Sequence, residues 1–439
     1  MKLWIDGQCF QTASRYRGIG RYVQELIAAM IRFRPEIDLH MSFNLALGGI
    51  DDTLLAALPP GLHRRNLHRW EAVVEGGEAM VGTTPLRRLS EIALAHHVGC
   101  LAPDVALSSS LFEGSDCPAV PLMPSLCTET ACAAIFFDAI PFRFPERYLT
   151  RYLTRASYER RLGEHRSADL NLCISGFCRS EALDLFPDVP AIDISGGVDI
   201  AHFAGKSITQ RRKPYLFYVG GLDWRKNVGV VVEAFRLLPP AERAALQVVI
   251  AGRNPPAQEQ DLRAHWQQAG LDPAALDFLG HVSDADLGGL YRGAFCVVQP
   301  SRMEGFGLTA AEAMAAGAPV VAGRGGALVE VVGHDDLLFD PDRPEQLAAI
   351  LSRLHRDPAF RTWAIEHGKC HVRRFTWEES AKRTIAALEE LLATSPKHGF
   401  GPDRERLRDW TERQVRALRV DPDIAIGMLA RAETSDEPK

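Results

Sequence analysis

The sequence predicts an α/β protein with two doubly wound domains, and three observations lead to this fold class. Strand-like and helix-like segments alternate along most of the chain, as they do in proteins built from βαβ units. Several strand-like segments are short, continuous apolar runs that end at Gly, Ser or Asp, which is typical of strands buried on both faces of a parallel sheet. The length of 439 residues is too great for one ordinary core and suggests two domains of about 150–200 residues.

The predicted elements alternate in the same way in both halves of the chain. In the first half the strands are MKLWID, AAIFFDAI and ADLNLCIS, and the amphipathic helix RYVQELIAAMIRF follows the first of them. In the second half the strands are PYLFYVGG, LQVVIAG, CVVQPS and APVVAG, and the clearest helices are KNVGVVVEAFRLL and DADLGGLYRGA. Two such domains imply a crevice between them, with ligands beyond the carboxyl ends of the strands.

A polar, basic segment that contains Pro214 separates the two runs of βαβ units. We therefore place the domain boundary near residue 205, which gives one Rossmann-like domain at 1–205 and a second at 206–375. A helix over 376–395 is expected to return toward the N-terminal domain, with Thr376 as its N-cap because a glutamate follows at the capping-box spacing. Residues 396–439 form an appended charged segment.

Composition excludes several classes of protein. A net charge of −6 and a pI near 6.2 argue against a dedicated nucleic-acid binder. The first ten residues lack the apolar core of a signal peptide, and the most apolar stretch, 131–142, is far shorter than the roughly 20 residues needed to span a bilayer. The nine cysteines form no C-x-x-C pair. We expect buried free thiols in a protein of the reducing cytoplasm.

The stretch SRMEGFGLTAAEAMAAGAPVV places two glutamates eight positions apart after a predicted strand. Gly305 and Gly307 would let the backbone approach a ligand, and a helix that begins near Leu308 would offer its N-terminal N–H groups to a phosphate or diphosphate. Glu304 could then bind sugar hydroxyls, and Glu312 a ribose diol. The alternative is an exposed glycine turn and a surface helix with a solvated acid.

A second turn of interest is YVGGLDWRKNVGVV, which follows another buried strand. Arg225 and Lys226 come after the two glycines Gly220 and Gly221 and precede a helix. Cations at such a turn could neutralise a diphosphate leaving group, with lysine as a point charge and arginine as a fork. A solvated basic turn is the alternative.

Two further turns lie in the N-terminal half. SRYRGIGRYVQEL carries Gly18 and Gly20 in a loop that runs into a helix, and a backbone of this kind could approach an anion or a sugar. AAIFFDAIPFRFPERYL places Asp138 after a buried strand and before Ile-Pro. An acid there is a candidate substrate contact, although a role in the turn itself is the alternative.

Together these motifs resemble retaining glycosyltransferases of the GT-B fold, family 4, of the type that makes bacterial surface polysaccharides. The resemblance covers residues 1 to about 395. It rests on E-x7-E with GFGL and EAMAAGAPVVA, on LGHVSDADLGGLYRGA and YVGGLDWRKN, and on RGIGRY, LFEG, FFDAIPFRFPERYL and CISGFCRSEAL with SGGVD. It implies a GT-B fold of two doubly wound Rossmann-like domains that face a central cleft.

The resemblance also implies roles for individual residues. Glu304 would contact the donor sugar, Glu312 the nucleotide ribose, and Lys226 with Arg225 the phosphates. The remaining donor contacts would come from the amides around Gly305, Phe306, Gly307 and Leu308, from Val282 at the nucleobase, and from Gly18 and Gly20 of the other domain. The catalytic residues would be Glu304, Asp138 and Lys226.

This sequence departs from the family pattern at two positions. Phe137 stands where many members have the histidine of a His-Asp pair, so Asp138 would act without that partner. Gly221 stands where many members have an arginine, which leaves Arg225 and Lys226 as the cations expected to bind the phosphates.

The implied reaction transfers a hexosyl group, with retention, from a nucleotide-diphospho-sugar to a saccharide or lipid-linked saccharide. The nucleotide sugar is a co-substrate, and we expect no cofactor and no metal, because no D-x-D motif follows an N-terminal strand. We expect GDP-mannose to be the donor, and a UDP-hexose is the second candidate. A GT-B sugar-nucleotide epimerase and a non-catalytic partner subunit stay open as alternatives.

The C-terminal segment DRERLRDWTERQVRALRV, residues 403–420, has an apolar set at roughly helical spacing. This set consists of Leu407, Trp410, Val415 and Leu418. Such a helix can dock on its own domain, or it can contact a membrane surface or a partner protein. The second possibility would place the protein at the inner face of the membrane.

Overall fold

The computed structural model describes residues 1–74, 76–205, 211–401 and 403–418, together with Gly427. The chain divides into two compact units. The first contains the described residues of Met1–Ile174 and Cys178–Ile194 and those from Ser380 onward, and the second contains Ser175–Phe177 and the described residues of Ser195–Glu379. The domain limits inferred from the sequence, with a boundary near 205, stay a prediction, and residue 206 itself lies outside the described residues.

The strands of the first unit form a parallel sheet. Within the described residues they are β1 (Lys2–Asp6), β2 (Asp38–Asn44), β3 (Leu67–Trp70), β4 (Val105–Ser108), β5 (Ala131–Phe136), β6 (Leu170–Cys173) and β7 (Ala191–Asp193). Their spatial order is β3–β2–β1–β4–β5–β6–β7. The order therefore reverses between β1 and β4, as it does in a doubly wound fold.

Helices connect these strands. In chain order they are α1 (Gly18–Phe33), α2 (Asp52–Leu55), α3 (Glu78–Val81), α4 (Pro85–Leu101), α5 (Ile140–Arg143), α6 (Pro145–Tyr148), α7 (Tyr152–Glu164) and α8 (Gly176–Leu185).

The second unit repeats this plan. Its strands, within the described residues, are β8 (Tyr215–Val219), β9 (Gln247–Ala251), β10 (Leu276–Gly280), β11 (Cys296–Gln299), β12 (Val320–Gly323) and β13 (Leu338–Phe339). They are parallel in the order β10–β9–β8–β11–β12–β13, so the reversal lies between β8 and β11. The predicted α/β class with two doubly wound sheets is confirmed.

The remaining helices belong mainly to the second unit. They are α9 (Ile200–Phe203), α10 (Gly229–Leu237), α11 (Pro240–Ala245), α12 (Pro256–Gln268), α13 (Asp284–Gly293), α14 (Leu308–Ala315), α15 (Leu328–Val332), α16 (Pro344–Arg356), α17 (Pro358–His371), α18 (Trp377–Thr394) and α19 (Arg404–Leu418). The predicted cap of α18 is confirmed, because the N–H of Glu379 donates to Thr376 Oγ1 at 3.2 Å.

Several inner strands of both sheets are buried along their whole length, which explains their largely apolar sequences. Every residue of β4, β5, β6, β11 and β12 is buried. The cysteines are free, as expected, but the prediction that they are buried is wrong for Cys370, which is exposed, and for Cys100 and Cys117, which are only partly buried.

The apolar face of α19 packs on its own unit. Leu407 and Trp410 are 1% and 4% exposed in a core shared with α4, and Val415 and Leu418 pack against its edge. Thr411 Oγ1 lies 2.8 Å from His96 Nδ1 of α4. The prediction that this helix docks on its own domain is therefore confirmed. The prediction of a membrane or partner contact through these apolar side chains is wrong, because α4 already covers them. Residues 419–420 of the predicted segment lie outside the described part.

In the part of the chain that the structure describes, no helix is both long enough and apolar enough to cross a membrane.

Candidate functional site

The loops after β8 and β11 leave the second sheet side by side, at the point where its strand order reverses. Ligands of open α/β sheets bind beyond the carboxyl ends of strands at such a point. The first loop carries Arg225 and Lys226 in a 3-10 turn that Asp223 caps, and the second carries Glu304. Two turns that the sequence indicated separately therefore come together in space.

Glu304 joins these two loops through its carboxylate. Lys226 Nζ lies 2.7 Å from Glu304 Oε1, and Arg225 Nη1 lies 2.6 Å from Oε2. Ser301 Oγ donates to Oε1 at 2.5 Å, and Gln299 Nε2 donates to the same oxygen at 3.2 Å. The backbone is fixed as well, since the N–H of Ala327 donates to the carbonyl of Glu304 at 3.0 Å.

The charges around Glu304 keep it ionised. Burial by itself would raise the pKa of this carboxyl, but the positive charges of Lys226 and Arg225, with hydrogen bonds from Lys226 and Ser301, outweigh burial and lower the pKa to about 2. Glu304 is 8% exposed, and the side chains of Lys226 and Arg225 are 18% and 20% exposed. The Glu304 carboxylate is thus paired with two cations of the turn after β8.

The GFG loop and the start of α14 lie where the sequence predicted them. Gly307 has φ +106°, a conformation that favours glycine, and α14 begins at Leu308. Phe306 is 4% exposed. Its ring packs edge-on against Phe375, with 5.5 Å between the ring centroids. Phe306 therefore anchors the loop, while the amides of Gly305 to Leu308 form its turn into the helix.

Glu312 lies on α14 and is 4% exposed. Tyr291 Oη of α13 donates to Glu312 Oε2 at 3.0 Å, and Tyr291 itself is fully buried. The alternative of a surface helix with a solvated acid is thus wrong for both glutamates. The hydroxyl of Tyr291 thus helps to orient the buried carboxylate of Glu312.

Val282 lies in the connection between β10 and α13, at the carboxyl edge of the same sheet. The N–H of Gly252 donates to the carbonyl of Gly280 at 2.8 Å, which ties the ends of β9 and β10 together. Because β9 separates β10 from β8, Val282 is farther along the sheet edge than Lys226 and Glu304.

Gly18 and Gly20 lie in the first unit, at the start of α1 and beyond the carboxyl end of β1. A Cβ added at Gly20 would lie 2.5 Å from the carbonyl oxygen of Ser14, so the close approach of two backbone segments requires glycine there. A Cβ at Gly18 would meet nothing within 4 Å.

Asp138 follows β5 of the first unit and is half-buried. Its Oδ1 accepts the N–H of Ile140 at 3.0 Å, which is the turn role considered as the alternative. Phe137, in the position of the family's histidine, packs edge-on against Tyr22 with 5.5 Å between ring centroids.

The first unit also contains a polar cluster at its own strand-order reversal, which the sequence analysis did not identify. Asp6, at the end of β1, is 2% exposed, and burial raises its pKa to about 6, although hydrogen bonds from Gln8 act in the opposite direction. Gln8 Nε2 also donates to the carbonyl of Val120 at 2.6 Å. Glu113, from the LFEG motif, accepts a hydrogen bond from Thr12 Oγ1 at 2.6 Å.

Three side chains of the second-unit site were also missed. Gln299 and Ser301 hold Glu304, and Tyr291 holds Glu312. Tyr291 and Ser301 lie inside motifs quoted above. Their position in those motifs could have indicated that they belong to the site. Their partners could not be inferred, because the contacts depend on how the loops pack.

Among the described residues, no group of three or more His, Cys, Asp and Glu side chains is placed to hold a metal ion. The metal independence of the reaction stays a prediction.

The arrangement in the second unit suits a ligand with a diphosphate. Lys226 and Arg225 supply fixed positive charge, and the N-terminus of α14 supplies oriented N–H groups. An incoming diphosphate would compete with Glu304 for the two cations. Electrostatic stabilisation of this kind lowers the barrier for departure of a diphosphate.

Comparisons with known proteins identify the family of this chain. The family profile described as "Glycosyl transferases group 1" matches residues 201–371. The O-antigen chain mannosyltransferase B of Escherichia coli is 31% identical over 275 residues, which are 58% of this chain and 69% of that protein. This chain belongs to the group 1 glycosyltransferases. The family consists of retaining GT-B enzymes.

Other relatives are similar over a larger part of this chain. The serotype-specific mannosyltransferase WbdA of Escherichia coli is 25% identical over 416 residues, which are 91% of this chain but only 49% of WbdA. The chain thus spans about half the length of that relative. Anabaena HepE, solved in complex with UDP and glucose, has a TM-score of 0.65 at 16% identity, covering 89% of this chain and 100% of HepE. That likeness confirms the GT-B fold.

Proposed function

We propose that this chain is a retaining mannosyltransferase that moves a mannosyl group from GDP-mannose to a hydroxyl of a saccharide or lipid-linked saccharide. The observation that carries the proposal is the contact of Glu304 with both Lys226 and Arg225 at the strand-order reversal of the second sheet. Cytoplasmic synthesis of a bacterial surface polysaccharide is the proposed setting.

In this proposal residues 206–375 form the nucleotide-sugar-binding domain and residues 1–205 the acceptor side. Lys226 and Arg225 hold the phosphates, with the N–H groups at the start of α14. Glu312 accepts hydrogen bonds from the ribose diol, and Glu304 contacts the reacting sugar. Val282 at the nucleobase, Gly18 and Gly20 near the donor, and Asp138 near the reacting centre complete the assignment.

Two findings bear on the donor. The mannosyltransferases of Escherichia coli that this chain resembles support a mannosyl donor. HepE, which was solved with UDP and glucose, favours a UDP-hexose as the second candidate.

A donor panel with and without acceptor tests the proposal. GDP-mannose should support acceptor-dependent transfer with retention, and Glu304→Gln should abolish it. Acceptor-dependent transfer from a UDP-hexose alone would select the second donor. Isomerisation of a nucleotide sugar without acceptor would indicate an epimerase, and the absence of turnover with every donor would indicate a non-catalytic subunit.

A further inference from the structure

Asn227 follows Lys226 directly and adopts a left-handed backbone conformation, with φ 54° and ψ 33°. Glycine is the residue that adopts this conformation at least cost, and asparagine tolerates it. The sequence analysis gave Asn227 no role. If the turn needed only this backbone shape, a glycine would serve it at least as well.

The side chain of Asn227 binds two other loops of the second unit. Its Nδ2 donates to the carbonyl of Pro341 at 2.7 Å and to the carbonyl of Pro300 at 3.3 Å. Its Oδ1 accepts a hydrogen bond from Arg302 Nη2 at 3.0 Å. Both amide hydrogens and the amide oxygen are therefore used, and the partners come from the segments after β11 and β13.

Arg302 reinforces this connection from the side of β11. Its N–H donates to the carbonyl of Arg225 at 2.8 Å, and its guanidinium lies 5.1 Å from the ring centroid of Trp224. It also forms an ion pair with Asp342. The turn that carries Arg225 and Lys226 is thus fastened to the loop that carries Glu304 at points other than the Glu304 carboxylate.

We propose that Asn227 is a positioning residue, which holds the Arg225–Lys226 turn in place for the phosphates of the donor. The inference rests on the proposed function. It assigns Asn227 no contact with the donor. Its effect passes through Lys226, because an ammonium group on a flexible stem binds a phosphate well only when its backbone is held at the right distance.

Two substitutions separate positioning from backbone shape. Asn227→Gly keeps the left-handed turn and removes the three side-chain hydrogen bonds. Asn227→Asp keeps the size of the side chain but turns an oxygen toward the carbonyls of Pro300 and Pro341. We expect both variants to bind GDP roughly tenfold more weakly than wild type, because GDP would then have to order a loosened Arg225–Lys226 turn on binding.

The measurements are the dissociation constant for GDP, or for UDP if wild type prefers it, by titration calorimetry, and the melting temperature. Ala102→Gly is the matched control, because Ala102 is a left-handed residue in the first unit. Weaker nucleotide binding by Asn227→Gly, with wild-type binding by Ala102→Gly and with both variants folded at the assay temperature, supports the inference. Wild-type affinity in Asn227→Gly overturns it.

A double-mutant cycle tests whether Asn227 acts through Lys226. Lys226→Met should abolish most of the effect of Asn227→Gly, so that the double variant binds no more weakly than Lys226→Met alone. Additive losses would overturn the inference while leaving the proposed function intact. If wild type binds neither GDP nor UDP, the proposed function itself is wrong and the inference falls with it.

Discussion

Lys226 Nζ lies 2.7 Å from Glu304 Oε1, so the cation predicted to bind phosphate is paired with the carboxylate predicted to bind sugar. Arg225 occupies the other oxygen of the same carboxylate. The carboxylate of Glu304 therefore holds both cations in place. The phosphates of a bound donor would have to replace part of this interaction. This relationship sets the expected behaviour of the variants below.

The first prediction concerns Glu304→Gln. The substitution keeps the size of the side chain but removes the charge that pairs with Lys226 and Arg225, so the two cations become more available to phosphate. We expect affinity for free GDP to equal or exceed that of wild type, while kcat falls at least a hundredfold, because contacts to the reacting sugar are lost in the transition state. Calorimetry and initial rates measure the two effects. Weakened GDP binding with normal turnover would contradict the assignment.

The second prediction concerns Glu312→Gln. If Glu312 accepts hydrogen bonds from the ribose, its loss should weaken binding of GDP and of the donor by about ten- to hundredfold, which corresponds to roughly 1.5–3 kcal/mol. Tyr291→Phe is the matched control, since it removes the hydroxyl that donates to Glu312 and keeps the carboxylate itself. Equal affinities for wild type and Glu312→Gln would remove Glu312 from the site.

Most inner strands of the two sheets could be predicted from the sequence, whereas β2, β4 and the edge strands could not. The buried run ACAAIF is apolar throughout and CVVQ is apolar up to Gln299, so the sequence itself indicates that these strands are buried. By contrast, β13 contains two residues and β3 reads LHRW, with half-buried residues at alternate positions. Strands this short or polar give no distinct periodic pattern.

The candidate site could be predicted as separate turns but not as a network. The sequence indicates Glu304 and Lys226 individually, yet they are far apart along the chain, and only the order of β8 and β11 in the sheet brings them together. The same limit applies to α19, since an amphipathic pattern shows that a face is covered but not what covers it.

The third prediction uses the buried carboxyl of Asp6. Its pKa of about 6 in the folded state exceeds the value of 3.8 for the free group, so the folded state binds this proton more tightly. The resulting stabilisation is complete below pH 3.8 and is lost as the pH rises through 6. Asp6→Asn does not titrate, so its stability relative to wild type should increase by up to about 3 kcal/mol across that range.

Urea unfolding of wild type and Asp6→Asn at a series of pH values measures this difference. A difference that stays constant with pH would show that the pKa of this carboxyl is the same in the folded and unfolded protein.

The fourth prediction is that transfer survives an excess of chelator. Lys226, Arg225 and the start of α14 are assigned the role of neutralising the leaving diphosphate. The measurement is the initial rate with and without EDTA, followed by addition of manganese. Complete loss of activity that manganese restores would show that a metal ion, and not these protein groups, neutralises the diphosphate.

The central claim is that the turn after β8 holds the phosphates of the donor, and nucleotide affinity of a lysine variant tests it most directly. Lys226→Met keeps the apolar stem and removes the charge. Lys213→Met is the control, because Lys213 belongs to the same unit but donates to the carbonyl of Ala244. The dissociation constant for GDP, or for UDP if wild type prefers it, should rise at least about tenfold in Lys226→Met and stay unchanged in Lys213→Met. Equal affinities for wild type and Lys226→Met would contradict the account.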